Sequence, residues 1–144
     1  MTKGWSIMSQ WTHVAGAIRI DTIDHEGVRA QINKVLGQTW KWGDTVDPDT
    51  EYAPYGSEGS IQYIITENPD ESSITAFVVT FYGDLRNYAD DAEIIAWFEK
   101  ACNAFFIRQA AITINVEGQK IIYGSYTGLS DLGENRYSYN EIMR

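Results

Sequence analysis

The stretch Pro54-Tyr55-Gly56-Ser57-Glu58-Gly59-Ser60 carries residue types suited to gripping an anion. Gly56 and Gly59 permit positive φ and close backbone approach. With the hydroxyls of Ser57 and Ser60 and successive N–H groups, such a loop can form a concave anion nest. It lacks the Gly-Lys-Ser/Thr ending of a Walker A loop and the G-x-G-x-x-G spacing, so the chemistry implied is anion contact in general. The ordinary alternative is a Gly/Ser turn leading into a hairpin. A second stretch, Tyr82-Gly83-Asp84-Leu85-Arg86-Asn87-Tyr88, is read as leaving a strand, and Arg86 is one of only two basic residues between positions 44 and 106. Its guanidinium either pairs locally with Asp84 or Asp90 or forks onto an anion, with Arg19 and Arg108 as helpers. Tyr55, Tyr82 and Tyr88 would then stack on a base or ring. The expected ligand-binding set is therefore Arg19, Tyr55, Gly56, Ser57, Gly59, Ser60, Arg86, Tyr88 and Arg108.

Other chemistries find less support. Asp44, Asp47, Asp49 and Glu51 form an oxygen-rich cluster of the kind hard cations use, but the spacing misses the EF-hand pattern and its glycine. A solvated loop, or one that mimics nucleic-acid phosphates toward a basic partner, is the alternative. The two histidines, His13 and His25, sit in no zinc or zincin spacing, and a lone cysteine removes Cys-rich zinc sites. His13 falls on a sheet face in a structural role. Cys102 falls on an apolar helix stripe and reads as a small core residue rather than a nucleophile. No metal, cofactor or catalytic residue is expected, and the chain is read as a non-enzyme.

These residues need elements to position them. Trp11 to Ile23 alternates, with Val14, Gly16, Ile18 and Ile20 on one face and His13, Ala15, Ala17 and Arg19 on the other, which predicts a strand. Asp24 is set to cap a helix ending at Leu36, with Gly37 as its stop. Gln38 to Gly59 forms a long ordered loop. Ser60 to Thr66 and Ser73 to Tyr82 make a hairpin through Glu67-Asn68-Pro69-Asp70. Asp90 and Glu93 form a capping box ahead of a helix over residues 90–106, whose stripe is Ile94, Trp97, Phe98, Ala101, Cys102 and Phe105. Ala110, Ile112, Ile114 and Val116 alternate in a further strand that turns at Glu117-Gly118 into Lys120 to Tyr126.

The order β-α-β-β-α-β plus one extra C-terminal strand predicts an α+β fold, a ferredoxin-like split βαβ sandwich with both helices on one face. Residues 11–126 are expected to form a single domain, between an N-terminal extension over 1–10 and a polar tail over 127–144. Met8 offers a second possible start. On the sheet face away from the helices, Ala15, Ala17, Ala111 and Thr113 are small, and Phe77, Val79 and Phe81 join them if the other parity of their strand packs on the helices. Such an apolar face predicts a covering subunit, a symmetric dimer being the commonest solution. The alternatives are that the 38–59 loop or the tail folds over it.

Composition narrows the partners. The chain has 144 residues, 44% of them hydrophobic, which supports one packed domain rather than disorder. Its net charge is −9, with a segment over 44–106 that holds two basic and thirteen acidic residues. That argues against direct nucleic-acid binding, whose affinity comes mainly from Lys and Arg. No apolar run approaches the length needed to span a bilayer, no signal-peptide core is seen, and a single cysteine asks for no oxidising compartment, so a cytoplasmic location is expected.

Trp11-Thr12-His13-Val14, Gly56-Ser57-Glu58-Gly59-Ser60 and Gly83-Asp84-Leu85-Arg86 together resemble a group of small uncharacterised proteins encoded in bacteriophage genomes, over about residues 9–126. The resemblance implies a host-defence antagonist acting in the cytoplasm of the host cell. The leading expectation is a non-catalytic homo-oligomer that sequesters a small anionic, nucleotide-like signal at an oligomer interface. The alternative is an acidic protein–protein inhibitor, with a nucleic-acid-mimic surface, of a host defence or nucleic-acid-handling protein. Phosphoester chemistry, with His13 or the acidic loop, is the third.

Overall fold

The computed structural model describes residues 9–128 and 136–143. Its elements are β1 (Trp11–Asp21), α1 (His25–Leu36), β2 (Gln62–Glu67), β3 (Thr75–Arg86), α2 (Asp91–Ala104), β4 (Phe106–Val116), β5 (Lys120–Thr127) and β6 (Tyr137–Met143). The strands form one open antiparallel sheet in the order β2-β3-β1-β4-β5-β6. The protein is thus α+β, with a six-stranded sheet and two helices among the described residues. Two strands, not one, follow β4. The expected polar tail contributes β6, because Tyr137 and Tyr139 alternate inward there. Their hydroxyls reach α2, donating to Asn103 Oδ1 at 2.7 Å and to Glu99 Oε2 at 2.6 Å.

Both helices start where their caps direct. Asp24 Oδ1 accepts the Gly27 N–H at 2.9 Å and Asp90 Oδ1 accepts the Glu93 N–H at 3.1 Å, each satisfying an amide that the helix cannot. The reciprocal half of the capping box does not form at α2, because Glu93 Oε1 accepts the Tyr88 hydroxyl instead, at 2.7 Å. At its other end α2 stops at Ala104. Phe105 is extended, and Phe106 already belongs to β4. The long loop before β2 is ordered by backbone bonds such as Gln38 N–H to Glu51 C=O and Ala53 N–H to Gln38 C=O, at 2.9 and 3.0 Å.

One face of the sheet is the core. Val14, Ile18 and Ile20 of β1 are buried beside Phe77, Val79, Phe81 and Leu85 of β3 and Ile112, Ile114 and Val116 of β4. Phe77, Val79 and Phe81 therefore lie under the helices, not on the reverse face. Phe81 meets Trp97 edge-on at 5.2 Å and Phe98 at 6.4 Å, which sets α2 over the sheet. The Trp97 indole N–H donates to the Leu36 carbonyl at 2.7 Å and ties α2 to the end of α1. Cys102 is buried in the same core, and burial pushes its thiol up to about 12, so it stays protonated and inert near neutral pH. Among the described residues no helix is long and apolar enough to cross a membrane.

The Phe81 ring occupies the space that a side chain at Gly16 would need. A Cβ at Gly16 would collide with that ring and with the Ala111 carbonyl across the β1/β4 pair. Gly16→Ala therefore either displaces the ring or parts two central strands. It is expected to cost about 1–3 kcal/mol in the urea unfolding free energy, as overpacking does. A midpoint equal to wild type would show that the ring is not held where described.

Candidate functional site

The Gly56–Ser60 loop is built as a clasp. The Gly56 N–H donates to the Gly59 carbonyl at 2.9 Å, the Ser57 N–H to the Arg86 carbonyl at 2.9 Å, and the Arg86 N–H to the Glu58 carbonyl at 2.9 Å. Gly59 takes φ 76°, and a Cβ there would overlap the Asp84 carbonyl. Two of the amides that an anion nest requires are thus committed to carbonyls. Ser57 Oγ also donates to the Arg86 carbonyl at 3.2 Å, and buried Ser60 donates to the Trp40 carbonyl at 2.7 Å. The loop extends the pairing of β3, which explains why Gly83 to Arg86 continue the strand rather than leave it.

The aromatic and basic members of the expected set are similarly engaged. Tyr55 stacks on the protein's own Trp40, ring centres 5.0 Å apart. Tyr88 is buried; its hydroxyl bonds Glu93, and its carbonyl accepts the Thr12 hydroxyl. Burial first, then the Glu93 carboxylate, holds the Tyr88 phenol well above its ordinary pKa. Arg86 Nε donates to Ser9 Oγ at 2.7 Å and its Nη1 lies 3.4 Å from Glu58 Oε2. Its local partner is therefore Glu58 and not Asp84 or Asp90.

Arg19 and Arg108 sit elsewhere. Arg86 pairs with Trp11 at one end of β1, whereas Arg19 is eight residues further along the same strand. At about 3.3 Å per residue the separation is roughly 26 Å, too far for one small ligand on one chain to span. The nine candidates fall into two groups, seven around the clasp and two at the far end.

That far end holds several adjoining clefts. The β1 to β3 register slips between Ile20 and Asp21, and the β1 to β4 register slips between Arg19 and Ile20. Bulges re-aim side chains and loosen the sheet locally. Here they leave Arg108 unpaired in the ladder, with its Nη2 on Asp21 Oδ2 at 2.7 Å. Around this ion pair opens a cleft of about 630 Å³, walled by Ile23, Ile74, Phe105, Phe106 and Tyr126, with Arg136 at its rim. Arg136 Nη1 donates to the Tyr126 hydroxyl at 3.1 Å. Ile23 is 89% exposed and Phe106 83% exposed, although both are large and apolar. Arg19 lines an adjoining cleft of about 310 Å³, which also reaches Arg108. Two guanidiniums, one carboxylate and an aromatic wall can receive an anion carrying a flat apolar group.

Ile23, Ile74, Phe106 and Arg136 are not among the residues expected from sequence. The signal for Phe106 was present: in Phe105-Phe106-Ile107 a strand cannot bury all three. Arg136 lay in the stretch read as tail.

His13 forms a third constellation, on the sheet face away from the helices. Its Nδ1 lies 2.6 Å from Asp84 Oδ1 and its Nε2 2.8 Å from Glu117 Oε2, while Glu117 Oε1 accepts the Trp11 N–H at 3.1 Å. Both ring nitrogens are occupied, so the arrangement holds a charge on the imidazole rather than offering a base. Among the described residues no group of three or more His, Cys, Asp or Glu side chains is arranged to hold a metal ion. In the acidic loop, Asp44 and Asp47 carboxylates accept backbone amides of Lys41 and Asp49 at 2.9 Å. No family model, curated protein or solved structure matches this chain.

Hydrogen bonding to Asp84 and then Glu117 raises the His13 pKa above its ordinary value. The charged imidazole is favoured in the folded state. Its contribution to stability is therefore complete below the unfolded value of about 6.5 and is lost as pH rises through the folded pKa. The urea midpoints of wild type and His13→Gln are expected to differ most at about pH 5 and to draw together as pH rises through the folded-state pKa of His13. A difference that does not vary with pH would contradict the ion-paired geometry.

Proposed function

We propose that this chain is a non-catalytic binding protein for a small anion with a flat apolar part, nucleotide-like in chemistry, held in the cleft beside Arg108. One observation carries the reading: an ion-paired guanidinium freed from the sheet ladder by a bulge lies next to the almost fully exposed Phe106 and Ile23. An arginine fork suits phosphate or carboxylate oxygens, and an exposed aromatic face accepts any base. Asp21 keeps Arg108 oriented while the cleft is empty and yields as the ligand's anion arrives. The likeness of short motifs to small phage-encoded proteins supports a role for this binding in the host cytoplasm: sequestering a nucleotide signal of host defence. The order of the first four strands, β2-β3-β1-β4, with helices on one side, supports describing the fold as ferredoxin-like with a two-strand extension.

A second reading, an acidic surface that covers a basic host protein, draws on Asp44, Asp47 and Asp49, which are exposed together on the loop before β2. It requires partner affinity that falls steeply with salt.

Calorimetry of the purified chain against mononucleotides, dinucleotides and cyclic nucleotides tests the first reading. At least one is expected to bind, and Arg108→Ala is expected to weaken it ~10–100-fold, the cost of a charged hydrogen-bonding partner. Absence of heat across the panel would remove the proposal. Loss through Arg86→Ala but not through Arg108→Ala would move the site to the Gly56 clasp.

A further inference from the structure

We infer that the sheet face away from the helices is the contact between two copies of this chain, related by a two-fold axis that runs across the strands between Ala15 and Ala17. Among the described residues nothing covers this face. Ile64, Tyr82, Tyr123 and Ile142 are large, largely apolar and exposed on it, and the 38–59 loop and the described part of the tail lie elsewhere. The tail's β6 adds to the sheet edge, and the loop's Trp40 is buried with the core side.

The register shows why the occupant is a second copy. Antiparallel pairing lines up the outward residues in rows across the sheet. One row reads Tyr82, Ala15, Thr113, Tyr123, and the next reads Thr80, Ala17, Ala111, Ser125. A two-fold between these rows lays the first on the second of the partner. Tyr82 then meets Thr80, Tyr123 meets Ser125, and the small residues between them meet one another, so large fills small at each strand. Charge follows the same operation. The row beyond the first carries the Asp84 and Glu117 carboxylates around His13, and the row beyond the second carries Arg19. The axis puts Arg19 of each copy against that cluster on the other.

The alternative two-fold, parallel to the strands between β1 and β4, stacks Tyr82 on Tyr123 and brings the two acidic clusters to the same end. Both size and charge disfavour it. Six strands about 4.8 Å apart and six to twelve residues long present at least roughly 600 Å² per copy. That is about 1,200 Å² for the pair, within the range of stable interfaces.

Native mass spectrometry of the full chain at micromolar concentration tests this. The expected mass is twice the 16.3 kDa of one chain. Ala111→Arg, at an exposed position in the middle of the face, is expected to give the single mass with unchanged circular dichroism. Ala15→Lys, on the adjoining row, is the second variant and serves if the first fails to fold. Arg19→Asp is expected to shift the population toward monomer, and Arg19→Asp combined with Asp84→Arg to shift it back. A wild type that stays monomeric overturns the inference. So does a dimer that survives both Ala111→Arg and Ala15→Lys, and so does a charge exchange that recovers no more dimer than the single variant.

Discussion

The pairing of β1 on both of its sides is the constraint from which the other features descend. A strand bonded to β3 on one edge and β4 on the other has no freedom of register, because a slip of one residue would carry Val14, Ile18 and Ile20 out of the core and His13 and Arg19 into it. Gly16 is where this constraint is tightest. Its missing side chain lets the Phe81 ring lie against the strand, and Phe81 in turn carries Trp97 and Phe98, through which α2 and then α1 are seated.

The two faces that result differ in kind. The helix side is filled by aromatic and branched side chains, and burial keeps three of its titratable groups neutral: Cys102 is kept a thiol, and the phenols of Tyr88 and Tyr139 are held protonated. The reverse side has small residues at its centre, larger ones such as Tyr82 and Tyr123 to either side, and charge at its two ends. Ion pairs there are exposed and individually weak, so their use is in setting orientation rather than in holding the fold.

Strand ends, more than strand centres, supply the surfaces with functional potential. At one end of β1 the Gly56–Ser60 clasp spends its donors on the backbone of Arg86 and closes the sheet. At the other, bulges on both neighbouring strands interrupt the ladder and leave Arg108, Asp21 and the apolar walls of a cleft unsatisfied by the sheet itself. The same sheet thus seals one terminus and opens the other, by the simple difference between completing its hydrogen bonds and breaking them.

Local chemistry was legible in the residues alone. Asp24 and Asp90 open helices because a carboxylate satisfies amides within three residues; the alternation of β1 and β4 assigns their inward faces; and Cys102 falls on an apolar stripe. The length of β3, the existence of β6 and the separation of Arg86 from Arg108 were not, because each depends on pairing between segments far apart in the chain. Gly83 to Arg86 looks like an exit from a strand until Trp11 to Val14 pair with it. The tyrosines of β6 look like tail until α2 offers Glu99 and Asn103. By itself the sequence determined the types of element and which side chains each buries, since those follow from periods of two and 3.6 and from caps. The tertiary structure alone decided which charged groups share an end of the sheet, since antiparallel register converts sequence distance into spatial distance in a way that no local pattern encodes.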